Sequence, residues 1–135
     1  MGRVQRCNSG LVVAGAELTL WGDGSPTREF LYVEDAAEGI LLAAEHCEES
    51  LPVNLGTGEE VTVRNLAAMI AAEAGFTGQI EWDSTKPNGQ PRRCLDVSRA
   101  KQLFGFQARH TLREGLKKTV QWFYTNRKAL REVHF

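Results

Sequence analysis

The sequence predicts a small mixed α/β fold, and three observations carry that prediction. Short runs of alternating apolar and polar residues, Leu18–Trp21 and residues 79–82, are bounded by glycine, proline or polar turn residues, the pattern of strands. Three other stretches, 36–47, 63–74 and 112–123, carry apolar residues at helical spacing. Helix-start signals precede them, most clearly Thr62 and the pair Thr111 and Glu114. With 135 residues the chain is one domain at most and long enough to bury a core.

Residues 1–17 read as a divergent leader, because Gly2, Asn8, Gly10 and Gly15 interrupt them and their apolar residues follow no period. The domain is expected to run over 18–135. Its first strand, Leu18–Trp21, is broken by Gly22, Asp23, Gly24 and Pro26, and residues 29–33 are extended again. Asp35 is the expected N-cap of helix 36–47, with Glu38 closing a capping-box-like pair. Ala37, Ile40, Leu41 and Ala44 form its apolar stripe. Residues 52–56 read as a short strand ending in Gly56, Thr57 and Gly58. Helix 63–74 follows, capped by Thr62, with Leu66, Met69 and Ile70 facing inward and Gly75 stopping it. After strand 79–82, residues 84–91 form a polar loop containing an Asn-Gly turn signal. Ser98 caps a short helix ending at Phe104 and Gly105. Leu112, Leu116, Val120 and Phe123 line one face of the last helix.

Composition excludes several classes. The net charge of −1 and a pI near 6.3 give no nucleic-acid-binding face. No apolar run approaches the ~20 residues needed to span a bilayer, and residues 11–14 are too short for a signal-peptide core. Cys7, Cys47 and Cys94 are odd in number and widely spaced, so neither a disulfide framework nor a CxxC site is expected. The expected setting is reducing and cytoplasmic. His46, His110 and His134 show no ligand spacing; each reads as a surface residue, and no metal site is expected. Cys47 reads as a small core residue.

Two clusters carry possible chemistry. A flat indole, Trp21, a flexible loop and the Arg28 guanidinium lie within a few residues of each other, suitable equipment for a base and a diphosphate. Taken alone, a tryptophan at a strand end usually serves the core, and an arginine beside a turn is usually a solvated charge. The second cluster is the loop with Lys86, Arg92 and Arg93, where arginine offers a planar fork suited to phosphate oxygens. A solvated basic loop is the plainer reading.

Residues 21–35 fit W-G-x-G-x-P-x-R-E-F-x-Y-V-x-D. This resembles the signature of the extended short-chain dehydrogenase/reductases, the NAD(P)-dependent epimerase/dehydratase family acting on sugar nucleotides, and most of all its GDP-L-fucose synthase branch. KPNGQPRRCLDVSR, residues 86–99, is similar to the family block K-P-x-G-x-P-R-[KR]-x-L-D-x-[ST]-[RK]. The resemblance runs from Leu18 to Tyr124 and does not extend into 1–17. It implies that Trp21 and Arg28 contact the nucleotide and diphosphate of the substrate and that Arg93 binds substrate. Lys86 and Arg92 are secondary candidates.

Two apparent catalytic motifs do not fit the family pattern. Tyr124 and Lys128 have Y-x-x-x-K spacing, but the family's pair precedes everything matched here. Gly56-Thr57-Gly58 begins like G-x-G-x-x-G, but Val61 stands where the third glycine belongs. The resemblance therefore implies the substrate-binding, C-terminal portion of such an enzyme, without the Rossmann domain and its Ser/Tyr/Lys machinery. No catalytic or cofactor-binding residue is assigned in this chain; NADP or NAD is expected only with a Rossmann-domain partner. The expected ligand is a sugar nucleotide, a GDP sugar first, bound weakly. A homo-oligomer or a Rossmann-domain partner is expected. The alternative is a freestanding structural or interaction module that keeps the fold without binding ligand.

Overall fold

The computed structural model describes residues 17–130. The expected leader therefore lies, apart from Glu17, outside the described residues, as do Cys7 and His134. In chain order the elements are β1 (Leu18–Trp21), β2 (Thr27–Arg28), α1 (Val33–His46), β3 (Val61–Thr62), α2 (Val63–Glu73), β4 (Ile80–Asp83), β5 (Arg92–Arg93), α3 (Ser98–Phe104) and α4 (Leu112–Leu130). They fall into two compact units, each assembled from separated stretches of chain. The first holds the described residues up to Arg28 together with Val61–Arg93; the second holds Glu29–Glu60 and the described residues from Cys94 onward.

In the first unit, β1 and β4 pair in parallel, from Leu18 opposite Ile80 to Trp21 opposite Asp83. β2 is the centre of a second sheet, antiparallel to β3 and parallel to β5. α2 starts as expected, with the Thr62 hydroxyl accepting from the Asn65 N–H at 3.1 Å. It ends just before Gly75, whose φ of 66° is the left-handed conformation a helix stop requires.

The second unit is helical around Ala100, Phe104 and Phe106, with Leu31, Leu42, Ala43, Cys47 and Leu55 packed against them. Cys47 is thus the small core-side residue the sequence suggests. Gly39 permits a close approach: a Cβ there would lie 2.9 Å from the Phe106 ring. The α4 capping box forms, with Thr111 N–H donating to Glu114 Oε2 at 2.8 Å and Glu114 N–H donating to Thr111 Oγ1 at 3.3 Å.

Several expectations are corrected. α1 begins at Val33, its N-cap is Tyr32, and Asp35 is a buried residue of its first turn. Asp35 cannot cap because its carboxylate is engaged by His110, 75 residues away. Ala37, Ile40, Leu41 and Ala44 are all exposed, Ile40 by 62% and Leu41 by 64%, while Gly39, Leu42 and Ala43 face the core. The helix is apolar on two faces, and the small Gly39 and Ala43 admit Phe106 where larger residues would not. Of the extended stretch expected at 29–33, residues 29–32 lie in neither strand nor helix and Val33 already opens α1; the short strand β2 comes just before it, at Thr27–Arg28. Residues 52–56 form no strand, because they find no ladder partner among the described residues. Ser98 is the first residue of α3 rather than its cap. Its N–H donates to Asp96 Oδ1 at 2.9 Å, so the aspartate closes the turn.

Candidate functional site

Trp21 closes β1 with its ring 70% exposed, so it is not the core residue that strand-end tryptophans usually are. The Lys86 ammonium stands 6.0 Å from the centre of that ring, within cation–π reach. Local hydrogen bonds shape both flanking loops. Asp23 N–H donates to Asn88 Oδ1 at 2.8 Å, and Ser25 N–H donates to Asp23 Oδ1 at 2.8 Å. Those Ser25 bonds hold the Asp23 carboxyl below its ordinary range. Arg64 donates to the Asp23 carbonyl and lies 4.7 Å over the Trp82 ring. Gly24, at φ 74°, sits where a Cβ would come within 2.7 Å of Trp82, so the turn lies flush on that indole.

The second grouping comes from strand register. β2 and β5 are parallel, with Arg28 opposite Arg93 and Thr27 opposite Arg92. Residues in register on adjacent strands share a sheet face about 5 Å apart, and successive residues alternate between faces. Arg28 and Arg93 therefore emerge side by side, and Arg92 belongs to the other face. Two like charges opposite one another are unfavourable unless an anion lies between them. Arg28 also donates from one guanidinium nitrogen to the Thr27 carbonyl at 2.6 Å. A Cβ on Gly89 would stand 3.9 Å from the other, so the 84–91 loop reaches Arg28 as well as Trp21. Of the five sequence candidates, Trp21, Lys86, Arg28 and Arg93 are linked by this loop and this sheet. Asn88 and Arg64 hold the loops; the sequence marks Asn88 only as part of an Asn-Gly turn, and Arg64 carries no signal that a local reading detects.

Within the second unit, Glu29 fills the glycine turn at 56–58. Its Oε1 accepts from Thr57 N–H at 2.5 Å and Gly58 N–H at 2.8 Å, and its Oε2 accepts from Leu95 N–H at 2.7 Å. Burial pushes this carboxyl up, but the bonds from Leu95, Gly58 and Thr57 outweigh it and leave the group below its ordinary range. The turn's N–H groups, which a dinucleotide cradle would aim at phosphate, thus serve an internal carboxylate. These residues do not fit a nicotinamide cofactor.

Asp35, 2% exposed, accepts from His110 N–H at 3.0 Å and lies 2.8 Å from His110 Nδ1. His110 Nε2 is 2.9 Å from the Lys118 ammonium, which also donates to Glu34 Oε2 at 2.9 Å. Lys118 has no lone pair when charged, so Nε2 accepts and the ring proton sits on Nδ1 toward Asp35. Burial raises the Asp35 pKa, and the bonds from His110 overcome it and hold the group below its ordinary range. His110 is therefore a ring locked between two helices, not the surface residue expected. Tyr124 lies on α4, 42% exposed, with Arg127 5.8 Å over its ring. Among the described residues no group of His, Cys, Asp or Glu could hold a metal ion, and no helix is long and apolar enough to cross a membrane.

The model of the NAD dependent epimerase/dehydratase family matches residues 3–56, a span that includes the Trp21–Asp35 block and most of the leader in which the sequence alone shows no resemblance. A probable GDP-L-fucose synthase 1 of Oryza sativa subsp. japonica is 37% identical over 123 residues, 91% of this chain and 37% of the relative. Over most of its length the chain is similar to proteins of the NAD-dependent epimerase/dehydratase family. The GDP-L-fucose synthase of Escherichia coli (strain K12) is 39% identical over 124 residues, 85% of this chain and 38% of the relative. The structure of a Naegleria fowleri GDP-L-fucose synthetase bound to NADP superposes with a TM-score of 0.77 at 30% identity, covering 83% of this chain and 36% of that one. A UDP-glucose 4-epimerase of Thermotoga maritima with UDP-glucose gives 0.73 at 32% identity, covering 84% and 36%. The chain thus spans little more than a third of these epimerase/dehydratase family members, and the mixed α/β fold of the described residues is theirs.

Proposed function

We propose that the first unit binds the nucleoside diphosphate of a sugar nucleotide, and that residues 18–135 serve as a substrate-binding domain. Trp21 stacks on the base, Arg28 and Arg93 grip the diphosphate and Lys86 flanks it, while Arg92, on the other face of the sheet, takes no part. The observation that carries this reading is the parallel register of Arg28 beside Arg93, two cations on one sheet face next to a loop that also reaches an exposed indole. The GDP-L-fucose synthases among the relatives favour a GDP sugar.

Stacking contributes about 1–3 kcal/mol and charged hydrogen bonds about 1.5–3 kcal/mol each. Against the cost of immobilising the ligand this leaves about 4 kcal/mol, a dissociation constant of about 1 mM. NMR titration with GDP, UDP and GDP sugars tests it: saturable shifts at Trp21 and the two arginines, tightest with GDP, are expected. No shift at several millimolar would leave a structural module.

Hydride transfer needs a nicotinamide carrier, which we assign to a Rossmann-domain partner because the Gly56–Gly58 turn is filled by Glu29. With NADPH and a 4-keto-6-deoxy sugar nucleotide, the chain alone is expected to leave the nicotinamide absorbance unchanged. Turnover abolished by Tyr124→Phe would overturn that. The outward stripe of α1, with Val33 69% exposed beside Ile40 and Leu41, suits such a partner or a second copy of this chain. Light scattering of wild type against Leu41→Glu tests the second copy: a dimer that the charge dissociates is expected, and a monomer in both rules it out.

A further inference from the structure

We propose that Asn88 is a positioning residue: its side-chain oxygen pins the 84–91 loop to the Gly22–Asp23 turn and so stations Lys86 over Trp21. This rests on the binding reading above and adds a residue that touches no ligand. The two loops leave the ends of paired strands, and both are tied there to one carbonyl. Gly22 N–H and Lys86 N–H donate to the Asp83 carbonyl at 2.9 and 3.1 Å. Farther out, the amide oxygen of Asn88 receives the Asp23 N–H at 2.8 Å. Gly22, at φ 83°, has to be bare for this, since a Cβ there would collide with that oxygen.

The anchor lies between two residues that meet the proposed binding groups. Two positions before it, Lys86 stands 6.0 Å from the Trp21 ring centre. One position after it, Gly89 turns at φ 74° beside the Arg28 guanidinium. Between those points the loop contains Pro87, whose fixed φ carries the constraint at Asn88 back toward Lys86. Loss of the bond leaves Lys86 held only through its own N–H and loosens its place over the indole, without removing any group that would contact a nucleotide. The bond needs only an acceptor, so aspartate at 88 preserves it and alanine does not.

The test uses the full chain, isotope-labelled, with the Trp21 indole N–H signal assigned by Trp21→Phe. Asn88→Ala is expected to move that signal to its position in Lys86→Ala, and Asn88→Asp to leave it in place. The dissociation constant for GDP is expected to rise about fivefold in Asn88→Ala, the equivalent of one ordinary hydrogen bond, and to recover in Asn88→Asp. Asn88 is exposed, so thermal stability should match wild type in both variants. An unmoved Trp21 signal in Asn88→Ala, or an aspartate variant that behaves like alanine, overturns the proposal. The signal is read without ligand: a wild type that ignores GDP while Trp21 still responds to Asn88→Ala sinks the nucleotide reading and leaves Asn88 in its role.

Discussion

The two units of this chain are held together by different means. The second has a buried centre: Ala100, Phe104 and Phe106 are its core, and even its buried carboxylate, Asp35, is fully bonded. In the first, the described residues that are buried are Gly22, Gly24 and Pro26, while Trp21, one of its large aromatics, faces solvent. Its order comes from strand register and from backbone groups tied by Asn88, Arg64 and Thr62. A side chain turned to solvent cannot also fill a core. A unit that presents an indole and several cations therefore relies on directional bonds instead.

That contrast can be broken most forcefully at Phe106. Phe106→Ala should cost about 3–5 kcal/mol, read as a lower urea midpoint, with the helical signal lost first. A loss below about 0.5 kcal/mol, inside the scatter of surface substitutions, would mean the core is not what orders the second unit. Arg28→Ala should do the opposite, leaving the urea midpoint in place and weakening GDP binding by about 1.5–3 kcal/mol. If that variant unfolds, Arg28 is a structural anchor and the contrast fails from the other side.

Asp35→Asn should cost about 1–3 kcal/mol by leaving a donor of His110 unmatched. Its pH dependence has a definite sign. The folded-state pKa of Asp35 is held below the ordinary value of 3.8, so its stabilisation is complete above that value and is lost as pH falls through the lower, folded one. Thermal melts from pH 7 down to pH 2 should therefore converge for wild type and Asp35→Asn at the acid end; parallel curves would refute the assignment. The smallest effect is expected at Thr111→Ala, about 1 kcal/mol for a lost cap, visible in the melting temperature with GDP binding untouched.

How much of this was legible beforehand follows the same division. Local signals were readable: the alternation of Leu18–Trp21, the Thr62 cap and the Thr111–Glu114 box all form as written. The family resemblance singled out Arg28 and Arg93, but only the parallel ladder sets one beside the other. The phase of α1 was misread because Ile40 and Leu41 on one side and Leu42 and Ala43 on the other make equally plausible stripes. What decides between them is Phe106, far along the chain. Asp35 with His110 and Glu29 with Leu95 were illegible for the same reason, since no local period connects residues so distant in sequence.

The parallel pairings carry a consequence for how the protein is made. β1 waits for β4, and β2 for β5, across roughly sixty residues of chain. On the ribosome the Trp21 strand emerges long before its neighbour exists, with an unpaired edge and a bare indole. Those features are the ones chaperones engage and aggregation exploits. The face proposed for the nucleotide is thus assembled only when Arg93 is in the ladder, and a pause in translation between Trp21 and Ile80 is the moment of greatest exposure.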